Sequence, residues 1–537
     1  MKRLFVIGIS FFSGSLMAQS VEEAKQYLYY DRLQSAEQVL QQVLNQNKEA
    51  YYWLTEVYLE DKQIDKARSL FSSGTDILSA HPLNKVAYGS VLLAENKTAE
   101  AKAQFDQALK EAGRKNELEI IKAVVRAHVE NKAGDANTAL RLIGQIKEKN
   151  QDAELITLRG DAYRKLNQGS DAAKSYLEAL VKDDKYALAA YNLGKIFVTQ
   201  QNSEMFLKYF NQAISADPKF AAAYYELYYY YYFRDVNKAN EYLNLYIQHT
   251  DPSMEHQYMK TDLMFASGKY DEAINGARAI LEKEGQETKA RLYKLLAYSY
   301  DAKGDSLKAF ELLNTYFASE ADSNIVAKDY DLQAKLHKKL NQDSLAAMAW
   351  EKALSIDTVD QYKLEYMQQL AQLAKENNDR STEARWLGKI FETKKEPNNL
   401  DLYNWGLAHY AADEFQQADE VFGKYTEKYP DQVYGFYWRA KSRAQLDSSM
   451  EQGLAVADYK KVAEIAESDK EKNKSLLIQA YGYLGAYEAN VSKDFVAALS
   501  WFEKILEIQP QNADALKFAE ILKKWIAEGK GGAAKSN

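Results

Sequence analysis

A small residue returns at nearly constant distance along this chain, and that regularity limits the choice of fold more than any other feature. Ala36, Ala67, Ala101, Ala139, Ala172, Phe206, Ala239, Ala273, Ala309, Ala346, Ala384, Ala418, Ala455 and Ala498 lie 31, 34, 38, 33, 34, 33, 34, 36, 37, 38, 34, 37 and 43 residues apart. The clustering at 34 marks one supersecondary unit used over and over, so 537 residues need not mean three or four unrelated domains.

Each unit reads as two amphipathic helices joined by a turn. In AYNLGKIFVTQQNSEMFLKYFNQAISADP, from Ala190, the first half places Leu193, Gly194 and Phe197 on one helical face. The second half places Phe206, Phe210 and Ala213 on another. The segments from Leu155 and Leu402 repeat the pattern, and the last full copy ends at Pro510. Small residues in the first helix (Gly160, Gly194, Gly406) let the second approach closely. An aromatic four residues after the marked alanine fills the space between units. Pro218, Pro252, Pro397, Pro430 and Pro510 fall at one point of the unit, just past the second helix, and Pro82 sits near it. A proline there stops the helix and sets the turn into the next unit.

With this period, glycine pattern and proline position, the chain resembles a tetratricopeptide-repeat (TPR) protein over residues 20 to 511. The resemblance implies an all-α fold, an α–α superhelix (TPR solenoid) of about 14 helix-turn-helix repeats. Individual copies are uneven: the aromatic position is Ala277 in one and Gly388 in another, and residues 358–384 and 466–498 carry insertions. The expected organisation is a signal peptide (1–18), the repeat array (19–511), a capping helix (512–528) bearing Leu516, Ile521 and Trp525, and a flexible tail (529–537). No 34-residue unit can bury its own apolar face, so stacking supplies the stability.

The signal-peptide expectation rests on MKRLFVIGISFFSGSLMA. Lys2 and Arg3 precede an uncharged, mostly apolar stretch from Leu4 to Met17, and Ala18 offers a cut before Gln19. That stretch is short for a membrane span of about 20 residues. The expected product is exported and periplasmic, with outer-membrane association left open by the resemblance to envelope TPR proteins of Gram-negative bacteria. The absence of cysteine removes disulfides, thiolate metal sites and a cysteine nucleophile. A balance of 69 basic and 77 acidic residues, without long runs of one sign, argues against general nucleic-acid binding.

Catalytic patterns are missing: no P-loop, GxGxxG, HExxH or GxSxG occurs. Of His81, His128, His249, His256, His337 and His409, only His249 and His256 are close in sequence, with Pro252 between them. The expectation is a non-enzyme with no cofactor and no metal.

Tyrosine is the exception to this plain composition. The chain has 40, and residues 224–233 read YYELYYYYYF. In the family's register, positions 2, 5, 9, 12 and 13 of each unit face the concave groove. With Ala239 at position 20, Tyr224, Tyr228, Tyr231 and Tyr232 take positions 5, 9, 12 and 13, and Tyr230 becomes a core residue. The same count brings Tyr191, Tyr258, Phe265 and Tyr298 to the groove. Tyrosine suits a wet binding surface because its ring supplies area while its hydroxyl keeps a polar partner. Lys335, Lys338 and Lys339, with Arg164 and Lys165, are a second, basic candidate set. The resulting expectation is a scaffold that binds protein partners, as an extended peptide or helix, in its groove. The alternative is carbohydrate binding, with the tyrosines stacking on sugar rings of peptidoglycan or a polysaccharide.

Overall fold

The computed structural model describes residues 12–72 and 75–530. Among these every regular element is helical, and the chain divides into two compact units, Met1–Ser299 and Tyr300–Asn537. The first unit holds eight hairpins in succession, from Phe12–Tyr29 with Leu33–Val43 to Met254–Ala266 with Tyr270–Glu284, and then the helix from Arg291. The second opens with Ser306–Ser319, continues through five hairpins from Ala327–Lys339 to Phe495–Ile508, and ends on Ala513–Ala527.

The marked position is the tightest point of every hairpin. All thirteen alanines at it have no solvent exposure, and Phe206, the exception in type, is 9% exposed. Small residues there let the two helices of a hairpin come together, and the glycine of the first helix makes the reciprocal contact. A Cβ on Gly89, Gly160, Gly194 or Gly406 would fall 2.4 to 2.6 Å from a ring atom of Phe105, Tyr176, Phe210 or Phe422. Glycine is required at these positions by the ring that lies on it, not by backbone conformation.

Most turns inside hairpins share one geometry. The first helix ends on a residue with positive φ, as at Asp31, Lys62, Asn96, Asn167, Gln201, Asn341, Asn378 and Asp413, or on Gly268 and Gly304. The next N–H then bonds back five residues, as Gln168 to the Tyr163 carbonyl at 2.9 Å and Asn202 to Phe197 at 3.1 Å. This is the Schellman closure, which satisfies the last carbonyls of a helix.

The expected insertions are absorbed locally. Residues 358–384 contain a first helix lengthened to Asp360–Glu376. Residues 466–498 contain the 3₁₀ turn Glu467–Asp469 and a π turn, Glu488–Ser492, that closes on Lys493 at positive φ. The terminal helix is capped by Asn512, whose side chain accepts the Ala515 N–H at 3.0 Å. Of the expected signal peptide, residues 1–11 lie outside the described residues, as do 531–537 of the expected tail. Helix Phe12–Tyr29 runs through the expected cut, and its buried Val21 and Ala24 lie on the mature side.

Candidate partner-binding groove

The tyrosine-rich helix Ala221–Tyr232 is placed by the hairpin before it. In the sixth hairpin, Asn192 donates to Asp161, 31 residues back, at 3.0 Å. In the seventh, Glu226 receives Lys195, also 31 back, at 2.5 Å. Leu193 and Leu227 are both fully buried in one cluster, again 34 apart. Asn192 and Glu226 are therefore equivalent, whereas the marked positions Phe206 and Ala239 lie only 33 apart.

The missing residue is in the turn of the seventh hairpin. Ala187 to Ser203 is sixteen positions, and Ala221 to Val236 is fifteen. No residue of this turn has positive φ, and the five-back bond is replaced by Asp235 N–H to the Tyr231 carbonyl at 2.8 Å. One residue is about 100° of helix rotation. Anchoring the count on Ala239 therefore places the tyrosines one position wrong.

The corrected count puts Tyr225, Tyr229, Tyr232 and Phe233 at positions 5, 9, 12 and 13. Tyr225 is 41% exposed, Tyr229 62% and Phe233 78%, so the chain presents an aromatic row along one helix face. Tyr232 is half-buried and its hydroxyl donates to the Asp262 carbonyl at 3.0 Å. The expectations for Tyr224, Tyr228 and Tyr258 as exposed groove residues are corrected, since all three are buried. Tyr224 donates to the Pro218 carbonyl at 3.0 Å and stacks near His249. Tyr228 takes the place that glycine holds elsewhere and packs with Leu243, Met259 and Leu263. Tyr258 is covered by Lys289 and Arg291, 5.0 and 4.7 Å from its ring centre, and burial pushes its hydroxyl pKa up to about 12.

The remaining expected residues are half-buried. Tyr231 stacks on Tyr242 at 5.7 Å, and Tyr191 donates to Glu226 at 3.4 Å while lying against Phe210 and Phe220. Tyr298 meets Phe265 edge to face at 6.4 Å. Tyr225 and Tyr229 were legible as surface residues only from the turn at FRDV, which is one residue shorter than that of the sixth hairpin.

A family model described as tetratricopeptide repeat matches residues 157–221, the fifth and sixth hairpins. These two hairpins are tetratricopeptide repeats. Tetratricopeptide repeat protein 6 of Homo sapiens is 26% identical over 162 residues, and the match spans 30% of this chain and 30% of that protein. The C-terminal part of a TPR protein from Cytophaga hutchinsonii is similar at 26% identity, with 48% of this chain and 98% of that one covered and a TM-score of 0.32. A TPR protein from Parabacteroides merdae is 17% identical, covering 49% and 96%, with a TM-score of 0.33.

Four of the five basic candidates are internally paired. Lys335 binds Asp331 at 2.6 Å, Lys338 binds Glu376 at 2.9 Å and Lys339 binds Asp301 at 2.6 Å. Lys165 donates to the backbone carbonyls of His128 and Asn131. The histidines likewise serve the fold. His128 accepts the Asp135 N–H at 3.1 Å, and His81 accepts that of Leu83 at 3.3 Å. His337 and His409 meet Gln342 and Glu414, 2.7 and 2.6 Å away, across their own turns. Burial lowers the pKa of His128, His249 and His256. Among the described residues no three His, Asp or Glu side chains gather as a metal site, and no helix is long and apolar enough to cross a membrane.

Proposed function

We propose that this chain is an exported, periplasmic, non-enzymatic TPR scaffold that binds a protein partner, as an extended peptide or a helix, across the seventh hairpin. TPR arrays are in general platforms for protein interaction. The observation that carries the reading is the exposed row Tyr225, Tyr229 and Phe233, four residues apart on one helix face. Apolar aromatics cost free energy in water, and a row at groove positions is the kind of surface that anchors a partner. On both sides the row is bordered by fixed ion pairs, Lys195 with Glu226 and Arg291 with Asp262 at 2.7 Å. These supply a polar rim around an aromatic centre.

The test is in-cell photocrosslinking from position 229, with Val181 on another helix as the control; Val181 is 88% exposed. Specific capture of one protein from position 229, lost when Tyr225 and Phe233 become Ala, is the expected result. Capture of glycan alone, or of proteins only from the control, would sink it. Mass spectrometry of the mature N-terminus tests export: the expected first residue is Gln19.

A further inference from the structure

The turn of the first hairpin lies against loops far along the sequence. Tyr30 donates to Asp217 at 2.9 Å. One carboxylate, Asp251, gathers three donors: Arg32 Nε at 3.1 Å, the Ser35 N–H at 3.0 Å and the Ser35 hydroxyl at 2.5 Å. The Tyr29 ring stands 5.4 Å from Phe220 and 6.4 Å from Tyr186. Tyr186, Phe220 and Asp251 belong to the loops before the sixth, seventh and eighth hairpins. The first hairpin thus closes on the sixth to eighth, with the hairpins between them arched around a common interior.

That interior is occupied by a polar network from separate hairpins. Arg126 donates to the Tyr52 hydroxyl at 3.1 Å, pairs with Glu154 and lies 3.8 Å from Glu130. Glu56 and Glu60 contribute further carboxylates, and burial is the first cause of the raised pKa of Glu56. The network is wet, since half of the Glu130 side chain and a third of the Glu154 side chain are in solvent.

The seam differs in kind from the joints between successive hairpins. Those joints are apolar, as with Ala36, Leu40 and Val43 buried under the second hairpin. The seam combines hydrogen bonds with the aromatic contact of Tyr29, and a gap of about 220 Å³ remains in it, lined by Asp31, Glu37, Asp61 and Asp251 with Tyr246 and His256 among others. Hydrogen bonds exchanged for bonds to water cost little to break, whereas apolar joints resist separation. Small flexures summed over several stacked repeats are enough to separate the edges of the seam.

We propose that the seam is a latch: the first unit exchanges between a closed ring and an opened arc, and opening widens the concave face of residues 50–200. Asp251 is its principal fastening, and Tyr30 with Asp217 is the second. Asp31 lines the same gap as Asp251, and desolvation with the charges of Glu60 and Asp251 raises its carboxyl pKa. The latch stands apart from the aromatic row, since opening is measurable with no partner present.

A chain without cysteine makes the test clean. Spin labels at Gln38→Cys and Lys219→Cys, both exposed positions on opposite sides of the seam, report the distance by pulsed electron paramagnetic resonance. The expected result is a dominant short distance with a minor longer one. In Asp251→Ala with Tyr30→Phe, the ratio of long to short rises roughly a hundredfold, as the loss of several bonds implies. The milder Asp251→Asn raises it about tenfold, guarding against misfolding of the double variant. Oxidised Ser35→Cys/Asp251→Cys, labelled by an orthogonal chemistry at the same two sites, loses the longer distance. A parent with no short distance, or fastening variants with the parent's distribution and unchanged circular dichroism, would overturn the latch.

Discussion

The sixth and seventh hairpins sit side by side and differ by one residue in the turn between their helices. In the sixth, the turn closes through Gln201 at positive φ, Gly194 accepts the Phe210 ring, and the groove side carries Tyr191 and Lys195, both partly covered. In the seventh, the positive-φ residue is gone, Tyr228 replaces the glycine and Leu243 replaces the aromatic. The large and small partners have changed helices. The first helix stays in register with the preceding hairpin and the second with the following one. The turn absorbs the difference, and the tyrosines at 225 and 229 are left in solvent. A deletion that is slight in the loop therefore decides which side chains a partner meets.

The largest effect expected is in the sixth hairpin. Phe210→Ala removes a ring that is 1% exposed and lies on a glycine, leaving a cavity that neither neighbour can fill. The cost is about 3–5 kcal/mol. Because stacked repeats depend on their neighbours, hydrogen exchange should rise most in residues 187–232 and least near the chain ends. Uniform loss of protection along the whole first unit would mean that the hairpins do not fail locally.

A double-mutant cycle tests the exchange of partners in the seventh. Tyr228→Ala should cost about 3–4 kcal/mol, and Leu243→Phe about 1–3 kcal/mol by overpacking. Together they recreate the small-on-aromatic pairing of the sixth, so denaturant titration should show a coupling of about 1–3 kcal/mol that favours the pair. Simple additivity would show that Tyr228 and Leu243 do not share one space.

The period and the marked alanines were legible because each expresses a local steric need that recurs along the chain, whereas the aromatic, expected between units, lies on the glycine of its own hairpin. The facing of Tyr224 and Tyr228 was not legible from one anchor. It depends on the length of the turn, and the one at FRDV is a residue shorter than that of the sixth hairpin, with no residue at positive φ. The seam was out of reach for a different reason. Tyr30, Arg32 and Ser35 are unremarkable in sequence, and they acquire partners only because the summed curvature of several hairpins brings Asp217 and Asp251 to them.

The interior of the first unit carries a pH response of its own. Glu56 is pushed up to about 7, first by burial and then by the charge of Glu60, with Arg126 acting against both. Its folded pKa lies above the unfolded value of about 4.3. The folded state therefore binds the proton more tightly, and this stabilising contribution is complete below the unfolded pKa. It is lost as pH rises through about 7. Glu56→Gln should raise stability by about 1–2 kcal/mol at pH 8 and leave it nearly unchanged at pH 4. Equal effects at the two values in thermal melts would show that Glu56 is solvated like any surface carboxylate.

The smallest effects separate the two kinds of turn. Asn167 closes the fifth hairpin at φ +59°, a conformation in which a Cβ-bearing residue without a polar side chain is strained. Asn167→Ala should cost about 1 kcal/mol, and Asn167→Gly should cost nothing or stabilise slightly. The shortened turn of the seventh hairpin has no such residue and relies on its cap instead, with Asp235 accepting the Lys238 N–H at 3.1 Å. Asp235→Ala should therefore cost about 1 kcal/mol. Asp235→Gly should recover most of that as a cap, whereas Arg234→Gly should bring no gain, since residue 234 lacks the positive φ that makes glycine useful at 167. A stabilising Arg234→Gly would mean that the seventh turn visits the longer geometry of its neighbours, and that the tyrosine face is less firmly set than the fixed pair of Glu226 with Lys195 implies.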